Sequence, residues 1–110
     1  MPSTYKVLGQ DVSTASAPVN VYTVPSSTQV VVSSIVIANR GADGTTFSVA
    51  IRPNGATLEN KHYVASGVSI ARNDTTVLSF GITLDAADVI TVIGGNNNLS
   101  ISVFGTEITA

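Results

Sequence analysis

A chain of 110 residues has the length of a single domain, and its 11% of charged residues is well below the roughly 25% of an average soluble domain. Its five Lys and Arg residues and net charge of −2 exclude the basic surface that nucleic-acid binding requires, and its lack of Cys excludes disulfides and thiolate metal sites. No apolar run approaches the ~20 residues of a bilayer-spanning helix, so we expect no membrane partner. Because a surface of Ser, Thr and Asn repels its neighbours only weakly, this composition favours a protein that works within an assembly.

Val and Ile dominate the apolar residues and recur with a period of two, which predicts an all-β chain. The turn formers Gly, Pro, Asn and Asp divide the chain into short predicted strands. These are residues 5–8, 19–24, 29–39, 45–52, 61–65, 68–71, 75–80, 82–84, 89–93 and 99–104. Short segments at this spacing predict a single-domain antiparallel β-sandwich of about eight or nine strands, of jelly-roll or immunoglobulin-like type, and a small closed barrel is the alternative.

The N-terminal part of the chain is rich in Ser, Thr, Ala and Pro from residue 13 to residue 18, a composition typical of a loop. We therefore predict a flexible N-terminal arm over residues 1–18, which could reach a neighbouring subunit, and a sandwich domain over residues 19–110.

Two hairpins are predicted within the domain. Asp43 and Gly44 supply the turn between the third and fourth predicted strands, since this dipeptide suits the positive φ angles of a two-residue loop. The polar residues 94–98, Gly-Gly-Asn-Asn-Asn, form the loop between the last two strands.

The long predicted strand 29–39 carries apolar residues at both parities. Strict alternation places Val30, Val32, Ser34, Val36 and Ala38 on one face and Val31, Ser33, Ile35 and Ile37 on the other. A two-layer sandwich has one interior, so a strand that is apolar on both faces needs a second cover, either a loop of its own chain or a neighbouring subunit. The low charge of the chain favours the subunit. The interface candidates are Val30, Val32, Val36, Tyr5, His62 and Tyr63.

Candidate chemical groups are few. His62 is the sole His, and it has no Cys or second His with which to form a zinc site or a triad. Asp85 and Asp88 could hold calcium or cleave a sugar bond, but carboxylates three residues apart at a turn more often accept backbone N–H groups. We expect no catalytic residue, no metal site and no cofactor, and we predict that the chain is not an enzyme.

Three stretches of the sequence resemble small virion proteins of tailed bacteriophages, particularly those of marine and cyanobacterial hosts. They are VYTVPSSTQVVVSSIVIANRG, TTFSVAIRPNGATLENKHYVA and ITLDAADVITVIGGNNNLSISVFGTEI. Ala87 stands where many of these proteins have Gly before the Asp of the last stretch. The resemblance implies a structural protein of the particle, in several copies, and it carries no catalytic residue.

The leading hypothesis from this resemblance is a capsid decoration (cement) protein that binds the assembled major capsid protein. The expected oligomer is a homotrimer, and the expected location is the virion, assembled in the host cytoplasm. Two alternatives remain: a subunit associated with the tail, baseplate or fibre, and a carbohydrate-binding adhesion module on the particle surface.

Overall fold

The computed structural model describes residues 3–79 and 81–109, and these residues form two antiparallel β-sheets. The strands are β1 (Ser3–Val12), β2 (Pro18–Thr23), β3 (Thr28–Asn39), β4 (Thr45–Arg52), β5 (Tyr63–Ile70), β6 (Thr75–Leu78), β7 (Ile82–Leu84), β8 (Val89–Gly94) and β9 (Leu99–Thr109). Two 3-10 turns, Pro53–Gly55 and Asn60–His62, lie between β4 and β5. The predicted all-β sandwich is confirmed. The predicted strand 75–80 ends on Phe80, which lies outside the described residues.

The strand order is that of a jelly roll. The first sheet has the order β1-β9-β3-β6, with β7 also paired to β3, and the second has the order β2-β8-β4-β5. The chain passes from one sheet to the other at six of its eight connections, as it does in two interlocked Greek keys. The fold is therefore the jelly-roll form of the predicted sandwich.

Both predicted hairpins are wrong, because the strands they were to join lie in different sheets. β3 is in the first sheet and β4 in the second, and β8 and β9 are divided in the same way. Gly44 accordingly does not adopt a positive φ angle. Four or five extended residues span more than the ~10 Å between packed sheets, so loops of this length suit a crossing as well as a hairpin.

The interior between the sheets is lined by alternate residues of the central strands. The largest fully buried side chains are Phe47, Ile35, Ile37, Ile70, Ile90, Leu99, Ile101, Val30, Val32, Val49, Val92 and Val103. Two sheets packed about 10 Å apart make a flattened molecule whose broad sides are the outer faces of the sheets. Its principal extents are 45 × 27 × 19 Å. These two faces are consequently the largest surfaces that the molecule can offer to a partner.

A β-bulge in β3 explains why this strand is apolar at both parities. Val32 pairs with Gly105 and Ser34 pairs with Phe104, so Ser33 is an extra residue that has no partner on β9. The bulge changes which parity points inward: Val30 and Val32 are buried before it, and Ile35 and Ile37 after it. Both apolar sets therefore enter one interior, which corrects the expectation that the strand needs a second cover for a whole apolar face.

Part of the predicted N-terminal arm has a place in this sandwich. Residues 3–12 form β1, which pairs antiparallel with β9 from Ser3 opposite Ile108 to Val12 opposite Ser100. Leu8, at a second bulge, is buried in the core. The division of the chain at residue 18 stays a prediction, but the pairing gives residues 3–12 the hydrogen bonds of a regular strand.

Candidate interface

The outer face of the first sheet carries no charged side chain among the residues that the structure describes. Residues that pair across neighbouring antiparallel strands point to the same face, so the register assigns the members of this face. They are Ser3, Tyr5, Val7, Gln10 and Val12 of β1; Ser100, Ser102, Phe104, Thr106 and Ile108 of β9; Gln29, Val31, Ser34, Val36 and Ala38 of β3; Thr75 and Val77 of β6; and Thr83 of β7. We call this set the uncharged face.

Exposed hydrophobic side chains are concentrated on the uncharged face. The described chain exposes six large ones, and five of them lie here: Tyr5, Val7, Val12, Val31 and Val77. Tyr5 is 84% exposed and Val77 58%. The sixth, Val64, belongs to β5 in the other sheet. Scattered exposed hydrophobics are ordinary on a protein surface, whereas a contiguous set on one broad side is typical of an interaction surface.

The charged side chains of the first sheet all lie on its other side. The register places Lys6 opposite Gly105, Asp11 opposite Ile101, and Glu107 opposite Val30. These three partners are buried and face the second sheet, so the charged residues opposite them point to that side too. Elsewhere in the described chain the charges lie in turns, in the segment between β4 and β5, and on the second sheet, where Arg52 donates to Thr91, Ala56 and Asn20. One broad side of the slab is consequently uncharged and the opposite one is not.

Glu107 links the two sheets by hydrogen bonds at one end of the sandwich. The hydroxyl of Tyr22, from β2, donates to Glu107 Oε2 at 2.6 Å, and Lys6 Nζ, from β1, donates to Oε1 at 3.1 Å. The hydrogen bond from Tyr22, together with the Lys6 ammonium, holds the pKa of Glu107 below its usual range, although partial burial opposes this. Burial, and then the bond to Glu107, raise the pKa of Tyr22 above its usual range. The cluster stabilises the fold and leaves the outer face free of charge.

This cluster predicts an acid-dependent contribution to stability. Because the pKa of Glu107 is lowered in the folded state, its ionised carboxylate stabilises the fold above the unfolded pKa of about 4.3. This contribution to the free energy of unfolding is lost as the pH falls through the folded pKa. We expect Tyr22→Phe to lower the free energy of unfolding by about 1.5–3 kcal/mol at pH 7, the contribution of a hydrogen bond to a charged group. Urea unfolding at pH 7 and at pH 3 measures the difference, which should shrink at the lower pH.

The matched control for this measurement is Tyr63→Phe, because the described hydrogen bonds to the carboxylate of Glu107 come from Tyr22 and Lys6 and not from Tyr63. Its effect should be small and equal at both pH values. An effect of Tyr22→Phe that is the same at pH 3 and pH 7 would contradict the assignment of charge to Glu107.

The structure divides the predicted interface residues into three groups. Val30 and Val32 are 1% and 2% exposed and belong to the core, because the bulge puts their parity inward. Tyr5 and Val36 lie on the uncharged face. His62 is buried, and its Nδ1 accepts the Glu59 N–H at 3.0 Å across the second 3-10 turn, while Tyr63 is half-buried in the second sheet.

Sequence reasoning missed most of the uncharged face. Val7, Val12, Val31, Val77 and Phe104 were not among the candidates, although β9 alternates regularly and its outer residues could have been assigned. The useful signal was the pair Ser33-Ser34, since two adjacent small polar residues inside a Val and Ile run mark a place where the alternation can shift.

The carboxylates of Asp85 and Asp88 accept backbone hydrogen bonds at the turn that precedes β8. The carboxylate of Asp88 accepts the N–H of Asp85 at 2.9 Å and that of Asn54 at 2.8 Å, and Asp85 Oδ1 accepts the N–H of Ala86 at 2.8 Å. Ala87 between them has a φ of 70°, in the left-handed region that favours glycine. Both carboxylates therefore have a structural role in the turn.

Residues 3–79 and 81–109 form no cluster of metal ligands. Within them, no three His, Asp or Glu side chains come together as metal ligands, and every buried side-chain nitrogen or oxygen has a hydrogen-bond partner. The same residues contain no helix with the length and apolar character needed to cross a membrane. The uncharged face remains the feature that calls for a function.

No protein-family model and no curated protein matches the chain. Among solved structures, it is similar to a chain of the acidic stable capsid structure of Helicobacter pylori bacteriophage KHP30, with 14% identity and a TM-score of 0.47 over 99% of this chain and 100% of that one. It is also similar to a chain of infectious bursal disease virus Gt strain, with 8% identity and a TM-score of 0.47 over 96% of this chain and 31% of that one. At these TM-scores neither likeness carries a function to this chain.

Proposed function

We propose that the chain is a structural protein of a tailed-phage virion and, within that class, a capsid decoration protein that binds the assembled lattice of the major capsid protein. Two independent features support this function. The three sequence stretches resemble small virion proteins of tailed phages, and the jelly roll is an architecture of capsid proteins as well as of lectins and cupins.

The uncharged face is the observation that carries the proposal. A broad surface with five exposed large hydrophobic side chains and no charge is poorly suited to permanent contact with water. In protein interfaces the buried centre is depleted of charged residues and enriched in apolar and aromatic ones, as this face is. We assign the face to contacts inside the assembled particle.

A decoration protein acts by mass action. A folded module that binds only the assembled lattice stabilises that lattice by its own binding free energy. Copies that also contact one another add avidity, because the second contact is made at a high effective concentration. A sandwich whose strands are paired across nearly its whole length provides the rigid body that this role requires.

Three finer parts of the proposal stay predictions. These are the homotrimer, the major capsid protein as the partner, and assembly in the host cytoplasm. The sequence supports them only through the phage resemblance.

Quantitative mass spectrometry of purified virions of the encoding phage tests the proposed function. We expect the chain in the particle at a copy number comparable to that of the major capsid protein. A copy number far below that of the capsid protein would indicate the alternative, a tail, baseplate or fibre subunit. Absence of the chain from purified particles would overturn the virion role altogether.

A further inference from the structure

We infer that the uncharged face packs against the same face of a second copy of this chain, related to the first by a twofold axis. The inference rests on the proposed function, in that it names the partner that this face contacts within the assembly. It is carried by three properties of the face: its lack of charge, its size and its self-complementarity.

The first property restricts the chemistry of the partner. A charged side chain buried against this face would lose its hydration and find no opposite charge, and such a loss costs several kcal/mol per ion. The partner surface must therefore be uncharged as well. Its polar groups must be donors and acceptors at once, because the face offers Ser and Thr hydroxyls and the amides of Gln10 and Gln29.

A second copy of the chain presents a surface of this kind. In the described residues the uncharged face is apolar and rich in hydroxyl groups. The outer face of the other sheet does not qualify, because Arg52 is held there by neutral acceptors only. Two uncharged faces that meet can bury their Val and Phe side chains and pair their hydroxyl groups without leaving any charge unpaired.

The second property is the area. Strands of about ten residues with a rise of about 3.3 Å per residue, four abreast at about 4.8 Å, give a face of roughly 600 Å². Two such faces bury roughly 1,200 Å² when they meet, which is the lower end of the range for specific, stable protein interfaces. The face is thus large enough for a pair of copies, and no described segment of the chain itself covers it.

The third property is the symmetry. A patch that binds its own copy makes an isologous contact, which closes with two subunits. A threefold ring needs two different patches that fit each other, and the described residues offer one uncharged patch. The geometry therefore points to a pair, in contrast to the homotrimer predicted from the sequence.

A matched pair of substitutions tests the inference. Val31, on the uncharged face, and Val64, on β5 of the other sheet, are both strand valines and are 42% and 43% exposed. In the pair, Val31→Lys places two like charges in a dehydrated contact, so we expect the dissociation constant to rise by at least about 100-fold. Val64→Lys adds the same charge to the same type of residue outside the contact and should leave the dissociation constant unchanged.

Sedimentation equilibrium of the full chain measures the mass of each variant over a range of concentrations. We expect twice the chain mass for the wild type and for Val64→Lys, and the single-chain mass for Val31→Lys. Thermal melting checks that Val31→Lys is folded. Should it not fold, Val77→Lys on the edge strand β6 replaces it, since Val77 is 58% exposed.

A wild-type monomer at high concentration, a trimer, or equal effects of the two lysines would overturn the inference. The virion measurement separates this failure from failure of the proposed function. If the chain is monomeric in solution but abundant in virions, the inferred pair is wrong and the proposed function stands. If the chain forms the pair in solution but is missing from virions, the proposed function is wrong and the inferred pair stands.

Discussion

Deleting Val36 from β3 is expected to cost the domain about 3–8 kcal/mol of its free energy of unfolding. Without Val36 the three residues from Ser33 to Ile35 span the distance between Val32 and Ile37, so the strand loses its bulge and pairs regularly. Ser34 then takes the inward position of Ile35, and Ile35 turns to the solvent. Losing a buried Ile side chain costs about 2–5 kcal/mol, and burying an unpaired hydroxyl adds about 1–3 kcal/mol.

Deleting Ser33 is the control, and it removes a residue only three positions away. This deletion takes out the extra residue of the bulge, so Val30, Val32, Ile35 and Ile37 all keep their inward positions. The hydrogen bond from Ser33 Oγ to the carbonyl of Phe104, at 3.1 Å, is lost, and we expect a cost of about 1 kcal/mol.

Urea unfolding followed by circular dichroism distinguishes the two deletions. The variant without Val36 should be largely unfolded at 37 °C, because its loss is a large part of the ~5–15 kcal/mol that stabilises a domain. The variant without Ser33 should fold. Equal destabilisation by the two deletions would contradict the account of the bulge.

The second large effect is expected for Gly105→Ala, at the upper end of the about 1–3 kcal/mol that overpacking costs. Gly105 lies on β9 opposite the bulge, where the two backbones approach closely. A Cβ atom on Gly105 would collide with the carbonyl oxygen of Val31 and would lie 3.0 Å from the Cα of Val32. Because both atoms belong to the backbone, β3 must shift away from β9 to make room.

Gly44→Ala provides the comparison for Gly105→Ala. A Cβ atom on Gly44 would meet the carbonyl oxygen of Ile70 at an ordinary 3.5 Å, and the φ angle of Gly44 is not positive. We expect a neutral or slightly stabilising effect, since Ala reduces the entropy of the unfolded chain. A Gly105→Ala variant as stable as Gly44→Ala in thermal melting would show that the two strands do not lie as close as described.

Composition and periodicity were sufficient to predict the fold class. The alternation of Phe47, Val49 and Ile51 on β4 reflects one buried face and one outer face, so the strand and its orientation could be read from the residues. The strand order could not be predicted, because a short polar loop such as 40–44 fits either a hairpin or a crossing between sheets. The choice between the two depends on pairings between residues far apart in the chain, such as Val7 with Phe104.

The candidate interface was predicted only in part, and the reason is local. Strict alternation along β3 assigns Val30 and Val36 to the same face, whereas the bulge at Ser33 places Val30 in the core and Val36 outside. One extra residue reverses the face of the sheet to which every later side chain of the strand points. Tyr5 was among the candidates, whereas Val12 was missed because the strand that carries it was predicted to end at residue 8 and in fact continues to Val12.

A cryo-electron microscopy reconstruction of the phage particle to which we propose that this chain belongs tests most directly whether the uncharged face is covered. We predict that the jelly roll is found on the capsid in many copies, and that Tyr5, Val31 and Val77 of each copy are in contact with protein. A particle in which this face is open to solvent, while the capsid is held by another surface of the molecule, would contradict this prediction.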